Sequence, residues 1–260
     1  MTCLPYECYP LGDAAIVIKI GSSIGLDTLH RIRQVANHIE SHWQDGFIEL
    51  VPAYTTITLY YDPFRIFALS RLQGSERVGL ALGDSSEDSL PYTYVMRCIE
   101  QLLDRFEVDE HVQGELGAIV EIPVCYEGDY GWDLAEVAAY HGVSQAQIVS
   151  WHTSRVYPVY MIGFAPGFPY LGGMDDRLAT PRRAVPRSQI PAGSVAIGGA
   201  QTGIYPFETP GGWHLIGRTP LDLFRPESNP PSLLSVGDQV QFVPISSEQF
   251  MAYKEGEGVK

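Results

Sequence analysis

Apolar positions change their spacing along this chain, and the changes mark out its elements. "DAAIVIKI" (13–20) is rich in β-branched residues and predicts a strand. In "LDTLHRIRQVANHIESHW" the residues Leu29, Ile32, Ala36, Ile39 and Trp43 recur at helical spacing, with Asp27 placed to cap. "FIELVP" and "TTITLYYDP" follow as two strands. In the second, Ile57, Leu59 and Tyr61 fall on one face and Thr56, Thr58 and Tyr60 on the other, and Pro63 closes it. After the polar, acidic loop "GDSSEDSL" (83–90), "PYTYVMRCIEQLLDRFE" sets Val95, Cys98, Leu102, Leu103 and Phe106 on one helical stripe. These elements predict a small α+β domain over 1–108.

The spacing then shifts. "VDEHVQGELG" (108–117) reads as a linker and "AIVEIPVCY" opens a strand. Two short helices are expected at "WDLAEVAAYHG", capped by Asp133, and at "SQAQIVSWHTS", capped by Ser144. From residue 155 onward, short apolar runs such as "GSVAIGG" and "QVQFVPI" are separated by Gly and Pro, the pattern of a β-barrel or sandwich over 109–260. The stretch "MIGFAPGFPYLGGM" (161–174) stands out. It holds too many glycines for a helix, too many prolines for a central strand and too much apolar surface for an ordinary solvated loop.

Composition narrows the classes. Of 260 residues, 17 are Lys or Arg and 31 Asp or Glu, a net charge of −14 that argues against a nucleic-acid backbone as partner. The first residues lack a signal-peptide pattern and no apolar run is long enough to span a membrane, so a soluble, cytoplasmic chain is expected. The four cysteines, Cys3, Cys8, Cys98 and Cys125, show no metal-type spacing and read as free thiols. Cys125, at a strand end, is a small buried hydrophobe or else a nucleophile. His38 and His42 stand four apart on the first helix, but no third ligand is in view; they read as solvated positions, and no metal is expected.

Phosphate-loop, dinucleotide, zinc-protease and serine-hydrolase signatures are absent. What the second region offers is polar and cationic groups set in stiff loops. Arg182, Arg183, Arg187 and Arg218 all lie there, and Pro181 and Pro186 fix the backbone before Arg182 and Arg187. Forked guanidinium groups suit a carboxylate or phosphate; the alternative is pairing with the chain's own acids. Gln201 and Tyr205 add neutral partners suited to an amide. Trp213 walls a pocket or fills the core, and His152 serves as general base or as a structural hydrogen-bonder. The expectation is that Arg182, Arg187 and Arg218 converge at the rim of the barrel with Gln201 and Tyr205, His152 within reach, and Phe164 and Tyr170 on the same edge.

The motifs "CYEGDYGWDLAEVA", "HTSRVYPVYMIGFAPGFPYLGG", "ATPRRAVPRSQIPAGSVAIGGAQTGIYPFETPGGWHLIGRTP" and "VGDQVQFVP" resemble the family of 5-oxoprolinase B subunits, also called the kinase A inhibitor or allophanate hydrolase subunit 1 family. The resemblance is densest over 120–245, treats 64–90 as a variable connection, and departs at Trp132, where the family usually has proline. It implies a small N-terminal α/β sandwich followed by a cyclophilin-like β-barrel. It implies one component of an enzyme, inactive alone, that works with an A subunit and with a second cyclophilin-like protein, the C subunit. Together they open 5-oxo-L-proline to L-glutamate with ATP and Mg, none of it tightly bound to this chain. His152 and Arg218 are then candidates for catalysis. Arg182, Arg187, Gln201, Tyr205, Phe164, Tyr170 and Trp213 are candidates for substrate binding. One branch of the family inhibits a sporulation histidine kinase and another belongs to urea- or allophanate-processing enzymes; these are the alternatives. Prolyl isomerisation rests on fold analogy alone.

Overall fold

A computed structural model describes residues 5–76, 90–104, 106–107 and 117–256. The chain divides into two compact units, Met1–Glu115 and Leu116–Lys260. The linker read over 108–117 and the acidic loop read over 83–90 lie, apart from Gly117 and Leu90, outside the described residues.

In the first unit β1 (Glu7–Pro10), β2 (Ala15–Lys19), β3 (Phe47–Pro52) and β4 (Thr56–Tyr61) form an antiparallel sheet in the order β1-β2-β4-β3. Alternation puts Ile16, Ile18, Ile57, Leu59 and Tyr61 on one face, all buried. That face packs with α1 (Leu26–Ser41), α2 (Pro63–Glu76) and α3 (Pro91–Leu103) through Ile32, Val35 and Ile39, Ile66, and Val95, Ile99 and Leu103. This is the expected two-layer sandwich.

Three details differ from the sequence reading. α1 starts at Leu26 after Gly25, so Asp27 lies inside its first turn and caps nothing. Trp43 falls beyond its end and is half-exposed. Pro63 does more than end β4: it opens α2, a helix the pattern did not predict. Asp62 Oδ1 accepts from the backbone N–H of Phe64 at 2.9 Å and of Arg65 at 3.1 Å. The pair is thus a cap followed by proline at the first helical position.

The second unit is a closed seven-stranded barrel. Its strands are β5 (Ile119–Cys125), β6 (Val156–Ile162), β7 (Pro169–Leu171), β9 (Ser194–Gly198), β10 (Gln201–Ile204), β12 (His214–Arg218) and β13 (Gln239–Ile245), in the order β10-β7-β6-β13-β5-β12-β9. β13 runs parallel to β5, and the other neighbours are antiparallel. A separate ribbon pairs β8 (Arg187–Ile190) with β11 (Thr209–Gly211). Two helices, α4 (Leu134–His141) and α5 (Gln145–Thr153), follow β5, and α6 (Ser247–Lys254) ends the unit. Ser144 caps α5 as expected, accepting from Gln147 N at 3.2 Å.

The strands of the barrel are apolar on both faces. Val195 and Ile197 of β9, Ile204 of β10 and Ile216 of β12 join the main core with Val124, Val159 and Phe242. The alternate positions Ala196 and Leu215 join a second cluster with Phe168, Ile190, Tyr205 and Trp213. A sheet buried on one side only would show polar residues at those positions. The second cluster therefore marks a built outer face.

Candidate functional site

Phe168 is the centre of the outer face. Its ring meets Tyr170 at 4.9 Å, Phe164 at 5.4 Å, Tyr205 at 5.5 Å and Trp213 at 6.0 Å between centroids, every pair edge to face. That is the arrangement ring quadrupoles favour. Glycine makes the floor. A Cβ at Gly198 would run into the Trp213 indole, and one at Gly203 would stand 3.1 Å from the Phe168 ring. Gln201 is paired across from Gly198 and so lies on this face of the strands.

Arg182 completes the face. It is exposed, and its guanidinium lies 5.8 Å from the centroid of the Trp213 ring. Burial pushes the Tyr205 hydroxyl up to about 12 against the opposing pull of Arg182, and burial likewise raises Tyr170. Both phenols keep their protons at neutral pH. Phe164, at φ 68°, is the one non-glycine residue in the left-handed region among those described. It is 65% exposed. The stretch 161–174 thus spends conformational strain on presenting a phenyl ring to solvent. Only 163–168 of that stretch is a loop, the β6–β7 connection that rims the aromatic face; Met161 and Ile162 end β6 and Pro169–Leu171 form β7, so the stretch does supply a barrel strand despite its prolines.

Arg182, Gln201, Tyr205, Phe164, Tyr170 and Trp213 therefore lie on one face of the barrel, with Tyr205 and Trp213 buried in it. The remaining candidates do not join them. Arg187 donates from Nη1 to Asp133 Oδ2 and from Nη2 to Asp133 Oδ1, both at 2.7 Å. Arg183 donates from Nη1 to Asp133 Oδ1 and to Glu136 Oε2, both at 3.0 Å. Arg218 donates from Nε to the carbonyl of Ala192 at 2.8 Å, at the far end of β12. The guanidinium groups of Arg182, Arg187 and Arg218 thus go to three different partners. Pairing with the chain's own acids, the alternative reading of the arginines, holds for Arg183 and Arg187.

His152 is not at the rim. It is completely buried, stacked on Phe242 at 4.4 Å. Its Nε2 lies 2.9 Å from Thr202 Oγ1 and its Nδ1 2.9 Å from the Tyr126 hydroxyl. Thr202 gives its own hydrogen to the Ala196 carbonyl at 3.0 Å, so it accepts from Nε2–H, and Nδ1 accepts from Tyr126. Burial drives the imidazole pKa down to about 3. A neutral ring with both nitrogens engaged inside the core has no proton-transfer path to a surface ligand. Cys125 is equally enclosed, and burial is the main cause that raises its thiol, which fits the small hydrophobe rather than the nucleophile.

Sequence reasoning missed the role of Asp133. It precedes α4 but makes no side-chain cap. Its carboxylate instead takes four hydrogen bonds: two from Arg187, one from Arg183 and one from Leu215 N at 2.7 Å. Burial alone would raise its pKa; the bonds from Arg187 and Leu215 and the two guanidinium charges outweigh this and hold it below the ordinary carboxylate range. Asp133, Glu136 and His214 also bring donor atoms within 4.8 Å of one another. The carboxylate's four acceptor directions are filled and two cations are already in place, so the group fits a charge-balanced knot and not a metal site. The distant spacing, 133 to 183 and 187, carries no local sequence signal.

The carboxyltransferase domain, subdomain C and D, profile matches residues 6–234. A Bacillus subtilis (strain 168) protein named as the B subunit of 5-oxoprolinase is 46% identical over 96% of this chain and 97% of its own length. An Escherichia coli O157:H7 protein of the same name is 40% identical over 92% and 95%. The solved structure of TTHA0988 superposes with a TM-score of 0.69 at 30% identity over 90% of this chain, which spans about 40% of that protein's length. Agreement of this extent, across both units and over nearly the full length of the named relatives, places the chain in the family of 5-oxoprolinase B subunits.

Proposed function

We propose that this chain is the B subunit of an ATP-dependent 5-oxoprolinase, and that with the A and C subunits it converts 5-oxo-L-proline to L-glutamate. The observation that carries this reading is the 46% identity to the Bacillus subtilis relative of that name over 97% of its length.

The outer face offers matching chemistry. A lactam is a flat ring with an apolar edge, an amide and, in 5-oxoproline, a carboxylate. The exposed Phe164 and half-buried Tyr170 supply aromatic surface over the buried Phe168 and Trp213, Arg182 an exposed cation beside it, and Gln201 and Tyr170 hydrogen-bonding groups. In this reading Arg182 takes the carboxylate, and the half-buried Tyr170 lies on the side of the carbonyl oxygen, where negative charge grows as the amide opens. Phe164 and Val185, 65% and 76% exposed, supply apolar surface for a partner protein to close over the face.

In this reading ATP is held elsewhere in the complex. Arg183 and Arg187 are committed to Asp133, and Arg155 and Arg177 to Asp175, so these four cations are already paired. The nucleotide with its Mg is assigned to the other subunits, and the isolated chain to inactivity.

Co-expression with candidate A and C subunits, followed by an assay of glutamate released from 5-oxo-L-proline with and without ATP, tests the proposal. ATP-dependent release by the complex and none by the chain alone is expected. A complex that is equally active without this chain would overturn it.

A further inference from the structure

Arg182 and Trp213 are bracketed by two hydrogen bonds between their chain neighbours. The carbonyl of Pro181, one residue before the arginine, lies 3.0 Å from Nε2 of His214, one residue after the tryptophan. The backbone N–H of Arg183, one residue after the arginine, donates to the carbonyl of Gly212, one residue before the tryptophan, at 2.8 Å. The two segments therefore run antiparallel here. Between the two rungs lie the cation and the ring that meet at 5.8 Å.

In the first rung a side chain takes the place of a backbone donor. A carbonyl only accepts, so His214 Nε2 carries the hydrogen. Nδ1 of the same ring is buried and meets no hydrogen-bond partner among the described residues. The imidazole is 6% exposed, whereas Pro181 and Arg182 are exposed, and residues 181–186 belong to no helix or strand. A fixed, buried donor thus holds an exposed, irregular segment immediately before its exposed cation. Past that cation, Arg183 and Arg187 tie the same segment to Asp133. An arginine whose backbone is pinned on both sides loses less freedom when it grips an anion, and that saving appears as affinity.

We propose that His214 is a positioning residue: its Nε2–H fixes the Pro181 carbonyl and so holds Arg182 beside the Trp213 ring, a role that rests on the reading of Arg182 as the partner of the substrate's carboxylate. His214 acts only through Arg182. The carboxylate of 5-oxoproline does not react, so its contact is the same in the ground state and the transition state. Misplacing Arg182 therefore raises KM and leaves kcat near that of wild type.

Three substitutions separate the bond from the bulk of the ring. Gln carries an amide N–H to the place of Nε2, Asn carries one only as far as that of Nδ1, and Leu carries none. In the isolated chain, hydrogen exchange at the Arg183 amide, the second rung, follows the bracket without any assay of activity. His214→Leu and His214→Asn should speed that exchange roughly 3- to 10-fold, the worth of one hydrogen bond, and His214→Gln should stay within about twofold of wild type. In the assembled complex, the Leu and Asn variants should raise KM for 5-oxo-L-proline by roughly 3- to 10-fold at unchanged kcat, and the Gln variant should recover most of the loss. Beside Arg182→Met, His214→Leu should add no further cost, because the group it positions is gone. Thermal melting checks that the variants fold, and the Gln and Asn pair, both polar and uncharged, carries the comparison if the Leu variant does not. Unchanged Arg183 exchange in the folded variants, or a KM cost that persists in full beside Arg182→Met, would overturn the role of His214 and leave the reading of the face standing. An Arg182→Met complex as active as wild type would instead overturn that reading, and the role of His214 with it.

Discussion

Arg187 and Asp133 meet as a two-pronged ion pair, with both N–O distances at 2.7 Å, across 54 residues of sequence. The side chain of Asp133 is 3% exposed and that of Arg187 24%. Removing Arg187 takes two of the four hydrogen bonds from the buried Asp133 carboxylate, which keeps those from Arg183 and Leu215 N. Arg187→Met is expected to cost about 1.5–3 kcal/mol of stability, the worth of hydrogen bonding to a charged group. Arg187→Lys keeps the charge but loses the fork, so it should recover only part of that. Urea denaturation of the isolated chain measures both. A loss below about 1 kcal/mol for Arg187→Met would show that the pair is solvated and structurally minor.

Arg182 predicts the opposite pattern. It is exposed and lies on the Trp213 ring. Arg182→Met should leave the melting temperature of the chain within a degree or two of wild type. In the assembled complex it should lower kcat/KM for 5-oxo-L-proline by roughly 10- to 150-fold, the worth of a hydrogen bond to a charged group. Equal activity of the variant would remove Arg182 from substrate recognition.

The contrast between these two arginines shows what the sequence can tell. Both follow a proline in the same loop-rich stretch, and nothing local separates them. What separates them is a carboxylate some fifty residues earlier. Elements defined by short-range spacing are legible: Ile57, Leu59 and Tyr61 are the buried face of β4, and Ser144 caps α5. The Asp62–Pro63 start of α2 is legible too but reads as a stop, because proline ends a strand as readily as it opens a helix. His152 reads as accessible because it is polar and sits near a helix end. Its burial rests on Tyr126 and Thr202, which lie 26 residues before it and 50 after. The aromatic half of the site is legible because its residues crowd one Gly- and Pro-rich region and alternate on paired strands.

His152 gives a pH prediction. Its pKa in the folded chain is about 3, against about 6.5 when unfolded. Between those values the unfolded chain binds a proton that the folded chain refuses. This contribution to stability is complete above about pH 6.5 and is lost as the pH falls towards 3, at about 1.4 kcal/mol per pH unit. Asp133, held below its ordinary value, adds a second loss that begins only as the pH drops through the range of unfolded aspartate, about 3.9. Nitrogen-15 spectra at pH 5 should show His152 still neutral with the hydrogen on Nε2. An imidazolium at that pH would contradict the buried network.

Phe164 allows backbone strain to be separated from side-chain contact. Its φ of 68° puts a Cβ-bearing residue in the left-handed region, which costs about 1–2 kcal/mol for an ordinary L-residue and nothing for glycine. Its ring touches Phe168 at 5.4 Å but remains largely exposed. Phe164→Ala and Phe164→Gly delete the same ring and differ at this position only in the Cβ. If the loop holds its conformation in solution, the glycine variant should be the more stable by about 1 kcal/mol, after allowance for the greater freedom glycine gives the unfolded chain. Chemical denaturation of the two variants side by side gives the difference directly. An alanine variant as stable as the glycine one would mean that the loop relaxes out of the left-handed region and that the ring is not rigidly presented. Both variants should also weaken co-purification with the partner subunits, since each removes the exposed ring proposed as surface for a partner protein. If the glycine variant gains stability while both lose partner binding, the strain is being maintained for the contact.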